Sequence, residues 1–143
     1  MNYLTPQDNF WGLDVETNGL DATKIWVACL INLKTKERLH FTDANSFKEW
    51  LKTEEPSGFV THNGLKADIP WLNKLWKTGI SSGVIVDTFV LSQLFDPNLP
   101  KPEGLATSVG THSLAAWGVR VGSAKGEFSD WSKYSEEMLD YCF

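Results

Sequence analysis

Cysteine is scarce in this chain of 143 residues, which has only Cys29 and Cys142. They lie far apart inside apolar segments with no C-x-x-C spacing, so they read as ordinary buried thiols rather than a disulfide framework or a zinc site. Positive charge is also short. Thirteen Lys and Arg stand against eighteen Asp and Glu, a formal net charge of -5, which argues against non-specific binding to nucleic acid through a broad basic surface. No run approaches the roughly 20 apolar residues that span a bilayer, and the opening "MNYLTPQDNF" lacks the basic and apolar blocks of a signal peptide. No membrane partner and a cytoplasmic location are therefore expected. A G-x-S-x-G nucleophile elbow, a Cys-His pair and a P-loop are all missing, so the sequence offers no protein nucleophile and no phosphate cradle.

What is present is a hydrophobic content of 42%, enough for one domain with a proper core over residues 1–143. Acidity leaves one route to a phosphodiester substrate open. A site that holds divalent cations carries its own positive charge, and its protein ligands are then acidic.

Along the chain, strand and helix signals alternate. Phe10 to Thr17, Lys24 to Leu33 and Glu37 to Phe41 read as three strands, the last two joined by the hairpin segment "KTKE". Ser46 is the expected cap of a helix in "FKEWLKTEE", where Phe47, Trp50 and Leu51 share one face and Pro56 to Gly58 follow. "GFVTHNG" reads as a further strand, Ala67 to Lys77 as a helix closed by Gly79, and "GVIVDTFVLSQLF" as a strand that turns helical. Asp96 to Thr111, with three prolines and two glycines, is the longest loop, read as a surface connection. Helices resume after Thr111, a candidate N-cap, and after Ser135, with Glu136 and Glu137 in its first turn. Strands first, then alternating helices and strands, give an α/β domain with a mixed sheet.

Asp14 and Glu16 interrupt the apolar first strand. Side chains alternate along a strand, so these two carboxylates point one way while Leu13 and Val15 point the other. Two close carboxylates repel unless a cation lies between them. Taken alone the D-x-E pattern is weak, because two acids near a strand end are more often simply exposed. Asp68, in the first turn of the helix after "THNG", is usually read as a dipole stabiliser. It also follows a strand that can lie beside the first, and three acids facing one pocket are a natural ligand set for Mg²⁺ or Mn²⁺. His62, alone at a strand end, reads as a hydrogen-bonding core residue rather than a ligand.

In order, "LDVETNGLD", "THNGLKADIPWL", "DTFVLSQLF", "HSLAAWGVRVGSAKGEF" and "SEEMLDY" resemble the 3′-to-5′ proofreading exonuclease domain of family A DNA polymerases, of the phage replicative type. The similarity runs from about Phe10 to the last residue. It implies a ribonuclease-H-like mixed β-sheet flanked by helices, within the D-E-D-D superfamily and its tyrosine branch. It further implies two divalent metal ions, Mg²⁺ or Mn²⁺, a single-stranded or frayed 3′ end of DNA as substrate, and release of nucleoside monophosphates. Asp14 then stands where an aspartate bridges the metals, Glu16 where a glutamate holds one metal and orients water, and Asp68 at the acid of the second motif. Thr17 and Leu20 fall at contacts to the terminal nucleotide, and Asn63 at an asparagine of the second motif. Ala67 departs from the pattern, since relatives carry tyrosine or phenylalanine before that acid.

Tyr141 matches the branch tyrosine, but the final aspartate, four residues on in relatives, would fall two positions beyond Phe143. Asp140 points elsewhere on a helix and reads as a surface acid. On this reading the chain is a C-terminally truncated exonuclease domain, weakened by lack of the fourth acid. The alternative is a catalytically impaired module that binds DNA ends or protein, or one part of a split polymerase, with a polymerase polypeptide or another protein at its C-terminal face. Trp50, Trp71, Trp76, Trp117 and Trp131 read as core, and Lys66, Arg120 and Lys125 as solvated rather than phosphate-binding.

Overall fold

The computed structural model describes residues 9–123 and 126–143; Lys125 and the opening residues 1–8 lie outside them. The apolar, β-branched segments β1 (Phe10–Thr17), β2 (Ile25–Asn32) and β3 (Arg38–Phe41) pair antiparallel in sequence order. The Asn18 side chain organises the first turn by accepting from the backbone amides of Thr23 and Lys24, at 3.0 and 3.1 Å. Asn32 does the same for the second, accepting from the amides of Lys34 and Thr35, each at 2.9 Å. Helix α1 (Ala44–Glu54) then crosses over to β4 (Gly58–Thr61), which runs parallel to β1, and β5 (Ile85–Asp87) extends the sheet parallel to β4. The order β3-β2-β1-β4-β5 makes a mixed sheet with β1 at its centre.

One face of the sheet carries the main core. Trp11, Leu13 and Val15 of β1 bury there with Ala28 and Leu30 of β2, Phe59 of β4 and Phe47 of α1. The rings of Trp11 and Trp50 meet edge to face at 5.1 Å, and Phe47 stacks on Trp50 at 5.8 Å. Ile25 joins this face although Val27 points the other way. The cause is a break in register, Glu16 pairing with Val27 and Thr17 with Ile25, so that Trp26 bulges beside Glu16.

Helix boundaries differ from the sequence expectation where local hydrogen bonding decides. Asp43, not Ser46, caps α1, its carboxylate accepting from the amides of Asn45 and Ser46. The helix expected from Ala67 begins as α2 (Asp68–Trp71) and continues as a wider π turn, Leu72–Trp76, ending at Lys77 in the left-handed region. Asn73 fixes that exit: its side chain donates to the Ile80 carbonyl and accepts from the Ile80 amide and the Thr78 hydroxyl. Helix α3 (Thr88–Phe95) follows β5, capped by Asp87. Ser113, not Thr111, caps α4 (Leu114–Val121), and Gly122 closes it at φ 70°. Ser135 caps α5 (Glu136–Cys142) as expected, accepting from the Met138 amide at 3.1 Å.

Helix α5 lies against β1 and β2 on the face opposite the main core, where Met138 and Cys142 bury with Val27 and Cys29. Trp131 packs against this second cluster and its carbonyl accepts from the Trp26 indole at 3.0 Å. The central strand is thereby enclosed on both faces. Among the described residues no helix is long and apolar enough to cross a membrane.

Candidate active site

Alternation along β1 sends Asp14 and Glu16 to the α5 side of the sheet, away from Leu13 and Val15. Glu16 is buried and Asp14 half-buried, so neither is a freely solvated surface acid. Across the β1–β2 ladder Asp14 is opposite Cys29, and the last turn of α5 closes over both. The Cys142 thiol donates to the Asp14 backbone carbonyl at 3.8 Å. Carboxylate oxygens of Asp14 and Glu16 and the sulfur of Cys142 all lie within 4.8 Å of one another. The two cysteines, read from sequence as thiols without a role, thus meet at the acids. The Cys142 thiol is pushed well above its ordinary pKa, first by its hydrogen bond with Cys29, then by burial and by the neighbouring charge of Asp14.

The end of β4 is shaped by a second acid that the sequence reading did not single out. Asp87, buried at the end of β5, accepts from the backbone amides of Asn63 at 2.8 Å and Leu65 at 3.1 Å, and from those of Phe89 and Val90 at the start of α3. One carboxylate therefore pins the 63–65 turn to a helix N-terminus. A sequence signal existed: an aspartate directly before an apolar helical run is a capping pattern. The turn itself needs Asn63 at φ 65° and a glycine after it, because a Cβ on Gly64 would sit 2.4 Å from the Thr61 side chain. This turn delivers Asp68 to the first position of α2, where it is buried.

His62 accordingly behaves as a structural residue. Its Nδ1 is 2.9 Å from the Thr88 hydroxyl, which in turn donates to the Thr61 carbonyl. Burial lowers its pKa, opposed by a hydrogen bond with the His112 backbone and by the charges of Asp87 and Asp14. A cleft of about 610 Å³ opens beside it, lined by Asp14, Cys29, His62, Tyr141 and Cys142 among others.

The other expected site residues are placed as follows. Tyr141 is half-buried, its ring 5.7 Å from those of both Phe128 and Trp131. Thr17 ends β1, its hydroxyl donating to the Gly19 carbonyl at 2.9 Å. Leu20 is 96% exposed on the β1–β2 turn. Asn63 contributes backbone to the Asp87 bridge. Asp140 is exposed, as a surface acid should be. Among the described residues, the group whose ligand atoms lie mutually within 4.8 Å consists of Asp14, Glu16 and Cys142, and Asp68 is not a member of it.

The chain is 31% identical over 166 aligned positions to the DNA-directed DNA polymerase of Escherichia phage T7, and equally to that of Enterobacteria phage T3. Each match covers 90% of this chain and 24% of the polymerase, so the chain spans about a quarter of the length of these relatives. No protein-family model matches the chain. The crystal structure of the Aedes aegypti Nibbler EXO domain is similar in fold, with a TM-score of 0.64 at 13% identity, over 96% of this chain and 72% of that one. The chain is thus similar to part of the phage DNA polymerases and shares the fold of the EXO domain. Its ribonuclease-H-like mixed sheet has five strands flanked by helices.

The donor groups gathered at this face have a chemistry that can be compared with that of a divalent-cation site. The carboxylates of Asp14 and Glu16, side by side on one strand face, fit a hard divalent cation. The thiol of Cys142 completing their group departs from an all-oxygen set.

Proposed function

We propose that the domain is a metal-dependent 3′-to-5′ exonuclease that hydrolyses the terminal phosphodiester of DNA and releases nucleoside monophosphates. The observation that carries this reading is the pair Asp14 and Glu16, held on the enclosed face of the central strand beneath α5, in a chain similar to phage polymerases. Glu16 is buried and Asp14 half-buried on the same strand face, and a cation between two neighbouring carboxylates offsets their mutual repulsion, which favours a metal-binding role over a packing one. In this reading Asp14 and Glu16 hold the cations and Asp68 is the third acid. Tyr141 faces the scissile phosphate, while Thr17, Leu20 and Asn63 position the terminal nucleotide. Bound divalent cations would supply the charge that activates water and stabilises the leaving 3′ oxygen. The residues then have no nucleophile to provide: they orient, enclose and neutralise.

The exposed Leu20 on a turn held by Asn18 suits stacking against an unpaired base, which is how sequence-independent contacts to a single strand are made. The test is polarity. With Mg²⁺ or Mn²⁺, a 5′-labelled single strand should give a ladder shortening from the 3′ end, and a 3′-labelled strand should give labelled mononucleotide at once. Internal fragments from either label would point to an endonuclease instead.

One observation favours a second reading. A thiol in the donor group is a poor partner for Mg²⁺, which would weaken Mg²⁺-supported turnover and leave the domain to hold DNA ends or a polymerase polypeptide.

A further inference from the structure

We propose that Cys142 is a ligand of the cation held at Asp14 and Glu16, and that this donor set selects a thiophilic divalent ion of the Zn²⁺, Co²⁺ or Cd²⁺ class over Mg²⁺. The inference rests on the reading that Asp14 and Glu16 bind a cation, and adds which cation they bind and with what third group.

The three donors come from rigid elements. Asp14 and Glu16 are two positions apart on the central strand, and Cys142 is in the last turn of α5. That helix is seated by Met138, which is fully buried against Val27, and is capped by Ser135. All three ligand atoms lie within 4.8 Å of one another. A four-coordinate zinc-like ion spaces oxygen and sulfur donors about 3.5 Å apart, a distance reachable from here by small rotations of the side chains. The sulfur is already turned toward Asp14, donating to its backbone oxygen.

Chemistry then separates the candidate ions. Mg²⁺ takes an octahedron of oxygens and keeps several waters, and a thiol in its first sphere gains nothing. Zn²⁺ and its analogues bind mixed sulfur and oxygen sets tightly. Cys142 and Glu16 are both buried, so two of the three donors are withdrawn from solvent, at the edge of the cleft that Asp14 and Cys142 line. Cys29, packed in one cluster with Cys142 and opposite Asp14 in the sheet, places a second sulfur nearby.

The full chain, stripped of metal and kept reduced, would be titrated with Co²⁺ while the near-ultraviolet spectrum is recorded, alongside Cys142→Ser, Cys142→Ala and Asp14→Asn. The expected result is a thiolate-to-cobalt charge-transfer band in the wild type that both Cys142 variants lose. Their affinity for Cd²⁺ should fall by about tenfold or more while Mn²⁺ binding is retained. Cobalt bound without such a band, or a band that persists in the Cys142 variants, overturns the proposal and leaves the cation site standing. If Asp14→Asn binds Co²⁺ and Mn²⁺ as the wild type does, the cation-site reading itself falls and carries this inference with it.

Discussion

The sulfur of Cys142 lies 3.8 Å from the backbone oxygen of Asp14, a residue 128 positions earlier in the chain. This contact brings the last turn of α5 onto the acid-bearing face of the central strand. It links the two halves of the candidate site, since Tyr141 stands one residue before Cys142 and Glu16 two residues after Asp14. Helix α5 is therefore part of the site's wall, and changes at its buried positions should register at the acids.

Asp87 is the structural acid of the fold. Asp87→Ala would leave four backbone amides, those of Asn63, Leu65, Phe89 and Val90, without their acceptor. The loss should cost about 3 kcal/mol of stability, read by urea unfolding. Asp87→Asn should cost less, because its one side-chain oxygen can still accept.

The aromatic core predicts a large cavity effect. Phe47 is fully buried and packs on Phe41, Trp50 and Trp76, so Phe47→Ala should destabilise by about 4 kcal/mol. Calorimetry would show it as a fall in Tm.

His62 gives the fold a pH dependence of known sign. Burial holds its pKa below the ordinary value, so the unfolded chain binds the proton first as pH falls. Its contribution is complete above the unfolded value of about 6.5 and is lost as pH drops from there toward the lower folded value. His62→Gln should flatten the difference in unfolding free energy between about pH 7 and pH 5, measured by denaturant titration at each pH. A variant with the same slope as the wild type would assign that dependence to another group.

The sequence discloses those parts of the site that follow from local periodicity. Alternation along Phe10–Thr17 placed Asp14 and Glu16 on one face, and the three-strand start, the presence of β4 and the capped α5 followed from strand, turn and cap signals, whereas the parallel direction of β4 came only with the structure. What it could not disclose depends on contacts distant in the chain. Cys29 and Cys142 look unrelated until β2 and α5 pack together. The caps at Asp43 and Ser113 were displaced by a few residues because several Ser, Thr and Asp candidates stand near each helix start. The π turn at Leu72–Trp76 follows a helical apolar spacing that a plain α-helix would share.

The central claim is that Asp14 and Glu16 support phosphodiester hydrolysis, and it is tested most directly by degradation of a 5′-labelled single-stranded DNA with Mn²⁺, comparing the wild type with Asp14→Asn. The account predicts ladders shortening from the 3′ end in the wild type and a rate lower by about a hundredfold or more in the variant, with both proteins folded. Equal degradation by the two, or none by either in any of Mg²⁺, Mn²⁺, Co²⁺ and Zn²⁺, would contradict it.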